Sequence, residues 1–223
     1  VPEQIIIDKE NKIAYITSCS NSSVYVFSLE TMTLKKQLKI NGMCEKFTLS
    51  QDGTKLFYVD RNTNNIWVIE LDNNYLLKNI GSFPNVSKIA YENGKIYIIS
   101  RTKNLMAIVD YDTMGFIAEI EVSEKPVDLY AINGELFILC AQDNILEVLD
   151  TTDDVITDKL FLNTNAFATN ITPIANSNLI MITNALSGLY SVVDTDLKEV
   201  IKTSPLNVPV RAIVITDTVK TIK

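Results

Sequence analysis

The sequence of 223 residues contains no histidine at all. That absence excludes Ser-His-Asp triads, Cys-His pairs and metal sites built on imidazole. Only seven glycines are present, and no glycine-rich segment has the spacing of a loop that cradles phosphate groups. The sequence therefore predicts no cofactor and favours a protein without chemistry of its own. Plentiful carboxylates leave a paired acid–base site open as the alternative.

Cysteine is also scarce, and the three that occur match neither a disulfide framework nor the paired spacing of a zinc site. Cys140 lies in the apolar run "LFILC", which predicts a buried, inert thiol. Cys19 and Cys44 lie in predicted loops and could pair if the fold brings them together. The redox compartment therefore stays open.

The 20 basic residues are scattered and outnumbered by acidic ones, which argues against a broad nucleic-acid surface and leaves a local basic patch open. The net charge is -7 and the pI is about 4.7, whereas nucleic acids and anionic membranes are bound by clustered Lys and Arg. No apolar run approaches the roughly 20 residues that span a bilayer, so no direct membrane insertion is predicted. No signal segment is visible, but the chain begins with Val, which leaves room for a signal, an anchor or a further domain before it.

What the sequence does contain is a repeat. Turns marked by Asn, Asp or Gly precede an apolar run five times, as in "SQDGTKLFYVD" and "YENGKIYIIS". One equivalent position recurs at spacings of 43, 40, 40 and 43 residues, at Lys12, Lys55, Lys95, Glu135 and Asn178. A second series, which includes "IWVIELDNNYL" and "MAIVDYDTMGF", follows with the same period. A shared period of about forty residues indicates a repeat architecture.

Each repeat reads as four short strands. In residues 86–126 these are "SKIAY", "KIYIIS", "LMAIVDYD" and "FIAEIEV", and Asn93-Gly94 supplies the first hairpin turn. Runs such as "KIYIIS" are apolar at both odd and even positions, so both faces of the strand must be buried against other parts of the protein. With no helices predicted, the sheets must cover one another. This predicts an all-β protein, a β-propeller of four-stranded antiparallel blades. Two β-sandwich domains are the alternative, although they do not explain the period.

The repeats are expected to form a single β-propeller domain or propeller fragment over residues 1–223. Five complete repeats run approximately over 2–44, 45–85, 86–126, 127–168 and 169–209, and residues 210–223 match the start of a sixth, with "RAIVIT" as its first strand. A ring of five has no place for that strand. We therefore expect a longer propeller of about six to eight blades, or closure by a partner or a missing segment.

The repeat resembles the YVTN-type repeat of β-propellers. The best match is "LSQDGTKLFYVDRNTNNIWVIELD", from Leu49 to Asp72, and "AIVDYDTMG" and "SVVDTD" supply the element that follows the "YVTN" strand. The resemblance implies a non-enzymatic binding or scaffold propeller, extracellular or at the cell surface, with a cytoplasmic location as the alternative. Related propellers also include lactonase-like hydrolases and redox accessories, which is the alternative function.

Candidate binding residues lie where the first strand of each repeat begins and in the loops that follow the second strand. In a propeller both surround the mouth of the central channel. The strand starts are all polar: Gln4, Lys46, Lys88, Asp128, Asn170 and Arg211. The loop residues are Arg61, Arg101, Lys103, Gln142 and Asp143. The pattern predicts a partly basic pocket for a protein partner or a small anionic ligand, and a merely solvated rim is the alternative.

Overall fold

The computed structural model describes residues 2–162, 167–184 and 187–206. These residues contain twenty β-strands and one short 3-10 turn, Cys19–Asn21, and no α-helix. In this part of the chain no helix has the length and apolar character needed to cross a membrane. The chain forms two compact units, Val1–Ile120 and Glu121–Lys223.

The first unit contains three four-stranded sheets. Sheet 1 consists of β1 (Gln4–Asp8), β2 (Ile13–Ser18), β3 (Ser23–Ser28) and β4 (Thr33–Lys39). Sheet 2 consists of β5 (Cys44–Leu49), β6 (Lys55–Asp60), β7 (Asn65–Glu70) and β8 (Leu76–Ser82). Sheet 3 consists of β9 (Val86–Glu92), β10 (Lys95–Ser100), β11 (Leu105–Asp110) and β12 (Phe116–Glu121).

The second unit contains two sheets of the same kind. Sheet 4 consists of β13 (Pro126–Ile132), β14 (Glu135–Cys140), β15 (Ile145–Asp150) and β16 (Val155–Phe161). Sheet 5 consists of β17 (Ala168–Pro173), β18 (Leu179–Asn184), β19 (Leu189–Asp194) and β20 (Glu199–Pro205). The predicted sixth repeat, over residues 210–223, lies outside the described residues.

In every sheet the strands are hydrogen-bonded in chain order, and the pairs are antiparallel. The turn between β9 and β10 shows why short connections suffice. Asn93 and Gly94 have φ values of 49° and 72°, as a two-residue turn matched to the strand twist requires. The five antiparallel four-stranded sheets confirm the all-β prediction and its four strands per repeat.

The core of each unit lies between consecutive sheets. Strands β6, β10 and β14 are each buried at five successive positions, so both of their faces are covered. Ile98 of β10 is fully buried in a cluster with Phe57 and Val59 of sheet 2. Phe137 of β14 is fully buried in a cluster with Ile171 and Ile182 of sheet 5. The prediction that second strands pack between neighbouring sheets is confirmed. Outer strands such as β4 and β16 are largely exposed.

Polar contacts also join neighbouring sheets within each unit. In the first unit, the hydroxyl of Tyr111, just after β11, donates to the Asp52 carboxylate in the β5–β6 turn, with Oδ2 at 2.9 Å. In the second, the ammonium of Lys198 in the β19–β20 turn lies 2.8 Å from Glu135 and 2.9 Å from Asp158 of sheet 4.

All three cysteines are buried and free. Cys140 ends β14, so the prediction of a buried thiol is confirmed. Cys44 lies on β5 rather than in a loop, because the strand begins directly after the turn segment "NGM". The fold does bring Cys19 close to Cys44, since the Cys19 thiol donates to the Cys44 carbonyl at 2.6 Å.

Candidate functional site

Three of the predicted binding residues meet at one cavity in the first unit. Lys46, Arg61 and Arg101 line a cavity of about 280 Å³ between sheets 2 and 3. We call this cavity the basic pocket, and its remaining lining residues are Asn64, Asn85, Val86 and Thr102. Only three of the chain's 20 basic residues are arginines, and two of those three line this pocket.

A β-bulge precedes Lys46. Opposite β6 the pairing of β5 shifts between Cys44, which faces Asp60, and Lys46, which faces Val59. The first strands of sheets 3, 4 and 5 shift in the same place, just before Lys88, Asp128 and Asn170. Bulges re-aim side chains and are frequent beside functional sites. The first strand of each sheet from 2 to 5 therefore has a β-bulge immediately before its predicted binding residue.

The turn that carries Arg61 is fixed by a buried aspartate. Asp60 is 4% exposed, and its carboxylate accepts hydrogen bonds from the backbone N–H groups of Met43 and Asn62 and from the Thr63 hydroxyl. Burial acts to raise the pKa of Asp60, but these hydrogen bonds outweigh it and lower the pKa. Only glycine fits at Gly42, because a Cβ there would overlap the same carboxylate.

Asparagines connect the two sheets at the pocket. The Asn64 side-chain oxygen accepts the Asn85 backbone N–H at 3.1 Å, and the Asn85 carbonyl accepts the Arg101 backbone N–H at 3.2 Å. Both asparagines adopt left-handed conformations, with φ of 58° and 50°, which Asn tolerates better than most residues. The backbone that presents the two arginines is therefore held in place on both sides.

The charges of the pocket have no acidic partner among the described side chains that line it. Within the described residues, the side chains of Lys46, Arg61 and Arg101 form no ion pair, whereas Lys78, Lys159 and Lys198 do. Arg61 and Arg101 are exposed and Lys46 is half-buried, so all three can reach a ligand from solvent.

The other predicted residues lie elsewhere. Lys88 of β9 and the exposed Lys103 belong to sheet 3 but do not line the pocket. Asp128 and Asn170 lie in the second unit, where Asp128 is buried and accepts the Ile171 N–H at 2.8 Å. Arg211 lies outside the described residues. A binding role for these five residues stays a prediction.

Sequence reasoning missed the neutral lining residues and the aspartate behind them. Asn64, Asn85 and Thr102 become neighbours only when sheets 2 and 3 pack. The signal for Asp60 was present in "DRNTN", because an aspartate three residues before a threonine often caps a turn.

One buried polar cluster in the second unit was also missed. The Glu147 side chain is 0% exposed and accepts hydrogen bonds from the Ser123 hydroxyl at 2.6 Å and from Lys159 at 2.7 Å. The bond to Glu147 raises the pKa of Lys159, which keeps its ammonium protonated and unable to act as a base toward Ser123. The described residues hold no group of three or more His, Cys, Asp or Glu side chains placed to bind a metal ion.

Comparison with known proteins supports the fold of this chain but does not identify its family. No protein-family model matches the sequence, and no curated protein matches it. In contrast, 1519 chains of solved structures match, so the fold is a common one and does not point to one function.

One of these structures is that of U3-55K, a WD40 propeller. It aligns with a TM-score of 0.75 over 90% of this chain, at 11% sequence identity. This chain spans 63% of the length of the U3-55K chain. At that identity the likeness shows the fold alone, and the fold is propeller-like.

Proposed function

We propose that this protein is a non-enzymatic binding or scaffold propeller that engages a protein partner through the face bearing the basic pocket. In this proposal the five sheets are consecutive blades of one propeller. The chain-order pairing of each sheet, the packing of consecutive sheets within each unit and the likeness to U3-55K support it. The resemblance to YVTN-type repeats supports an extracellular or cell-surface location as part of the same proposal.

The basic pocket is the observation that carries the proposal. The chain has a net charge of -7, yet three cations line one small cavity that has no acidic residue among the described side chains around it. Grouping like charges destabilises a fold unless a ligand compensates them. A fixed group of cations in an acidic chain would attract and orient an anionic region of a partner.

No observation on the described residues favours the alternative of a lactonase-like hydrolase or a redox accessory. The sequence lacks histidine. Ser123 contacts both Lys159 and the Glu147 carboxylate, but Glu147 holds that lysine in its protonated form, so it cannot act as a base. Pocket chemistry therefore supports recognition better than catalysis.

The test is differential capture. Wild-type protein and the variant Lys46→Glu/Arg61→Glu/Arg101→Glu are immobilised and exposed to an extract, and separately to a surface fraction, of the cells that produce the protein. The control reverses three exposed lysines outside the pocket, at Lys9, Lys35 and Lys202, and so changes the net charge equally.

We expect a defined partner to be retained by wild type and control and lost by the pocket variant, with similar melting temperatures for all three proteins. Recovery of the same partners by the pocket variant would show that the binding face lies elsewhere. Recovery from the surface fraction rather than the extract would support the extracellular location.

A further inference from the structure

We infer that the basic pocket binds carboxylate side chains from an acidic segment of a protein partner, with Arg61 and Arg101 as the specificity-determining residues. This inference rests on the proposed function and names the chemistry of the partner. Neither the fold nor the repeat requires it, because carboxylate binding would depend on the polar groups that line this one cavity.

The charged groups of the pocket are all donors. Lys46, Arg61 and Arg101 have no acceptor atoms in their side chains. The Asn64 side-chain oxygen already accepts the Asn85 N–H, so the Asn64 amide has its NH₂ group left to donate. A lining of this kind selects a ligand rich in acceptors, and oxyanions satisfy it best.

The use of arginine indicates a ligand that presents two oxygen atoms side by side. Lysine would be sufficient to attract an anionic partner over a distance, and the chain uses lysine for all but three of its 20 basic residues. The guanidinium group instead offers a rigid fork of N–H donors that matches a carboxylate in a bidentate pair. Two of the chain's arginines flank the pocket, so two such pairs can form there.

The backbone around the pocket argues against a phosphate site. Phosphate is usually cradled by free backbone N–H groups at a helix start or in a nest. Here the N–H of Arg61 donates to the Met43 carbonyl, that of Arg101 to the Asn85 carbonyl, and that of Asn85 to Asn64. These three N–H groups are therefore engaged within the protein and are not free to cradle a phosphate group.

The size of the pocket points to a peptide. Its volume of about 280 Å³ is just below the roughly 300–1,000 Å³ typical of small-molecule sites, yet it exceeds the needs of a single oxyanion. Thr102 and Asn85 offer neutral hydrogen-bonding groups beside the cations, which suits the backbone between two acidic side chains. Three cations are too few for the many phosphate contacts that nucleic acids need.

The probe is a fluorescent oligoglutamate peptide, with oligoglutamine of the same length and inorganic phosphate as comparison ligands, measured by anisotropy and competition. We expect wild type to bind oligoglutamate and not oligoglutamine, with affinity that falls as salt is added. Arg61→Ala and Arg101→Ala should each weaken binding about tenfold or more, as expected for a lost charge-assisted hydrogen bond. Arg→Lys variants should be intermediate, and Lys35→Ala should equal wild type.

Several results would overturn the inference. Absence of oligoglutamate binding, equal binding of oligoglutamine, stronger competition by phosphate than by the peptide, or full affinity in the Arg→Lys variants would each do so. The capture experiment separates this failure from that of the proposed function. A partner lost from the pocket variant while oligoglutamate fails to bind would keep the binding face and reject the acidic segment.

Discussion

The hydroxyl of Tyr111 offers a sharp test of how the first unit is held together. Tyr111 is 8% exposed, and its ring meets Phe57 and Tyr91 edge-on at 6.1 and 5.1 Å between ring centroids. The Tyr111→Phe substitution keeps these ring contacts and removes only the hydroxyl that reaches Asp52 across the two sheets.

The expected loss in the free energy of unfolding depends on the strength of this hydrogen bond and on its exposure to solvent. A hydrogen bond to a charged group contributes about 1.5–3 kcal/mol. Because Asp52 is exposed to solvent, screening reduces the loss to about 1 kcal/mol. The loss should depend on pH. Burial acts to raise the pKa of Asp52, but hydrogen bonds from Ser50, Thr54 and Tyr111 lower it from 3.8 to about 2.

The sign of the pH effect is fixed by that direction. A carboxylate whose folded-state pKa is depressed stabilises the fold above its unfolded pKa and loses that contribution as pH falls through the folded pKa. The penalty of Tyr111→Phe should therefore be full at neutral pH and should shrink as the pH falls from 3.8 toward about 2.

Urea unfolding followed by tryptophan fluorescence measures the effect. The single tryptophan, Trp67, lies on β7 in the same unit. A double-mutant cycle that combines Tyr111→Phe with Asp52→Asn should give an interaction free energy of about 1 kcal/mol at neutral pH. Tyr190→Phe, which removes a hydroxyl outside this cluster, is the control. A penalty below about 0.3 kcal/mol, or one that does not change with pH, would refute the reasoning.

Three further outcomes are expected. Phe137→Ala should cost about 3–5 kcal/mol in urea unfolding because it empties a fully buried site, whereas the exposed Phe161→Ala should cost under about 0.5; similar losses would contradict the sheet-to-sheet core. Lys198→Met should cost about 1 kcal/mol, and less in high salt, because it removes the contacts to Glu135 and Asp158; a loss that does not change with salt would contradict an electrostatic origin. The three buried cysteines should react with a thiol reagent far more slowly in native than in unfolded protein, since burial raises the pKa of two of them; equal rates would contradict their burial.

The strands could be predicted because each repeat carries the same local signals. "KIYIIS" matches β10 residue for residue. The turn before it was predictable because Asn and Gly accept the positive φ that a tight hairpin needs. Burial of both strand faces was predictable because apolar residues occupy both odd and even positions of this run. In the structure Ile96, Tyr97 and Ile98 are completely buried.

The site could be predicted only in part. Placing the loop arginines with the strand-start lysine on one face needed only the repeat, and Lys46, Arg61 and Arg101 do line one pocket. The exclusion of Lys88 from that lining could not be foreseen, because it depends on where neighbouring sheets leave space. Burial of Asp128 was equally hidden, since its partner, the Ile171 N–H, lies 43 residues away in another repeat.

The repeat itself separates what the fold needs from what the pocket adds. The residue that follows the second strand is Cys19 in the first repeat, Arg61 in the second, Arg101 in the third and Ala141 in the fourth. A buried thiol and a buried methyl group satisfy the same backbone position, so the fold does not require a cation there. The two adjacent repeats that do carry arginine form the pocket, and Lys46 of the second repeat adds a third cation. The fold therefore does not need these cations, and no described acidic side chain pairs with them. Both observations support the proposal that the pocket binds an anionic group of a ligand.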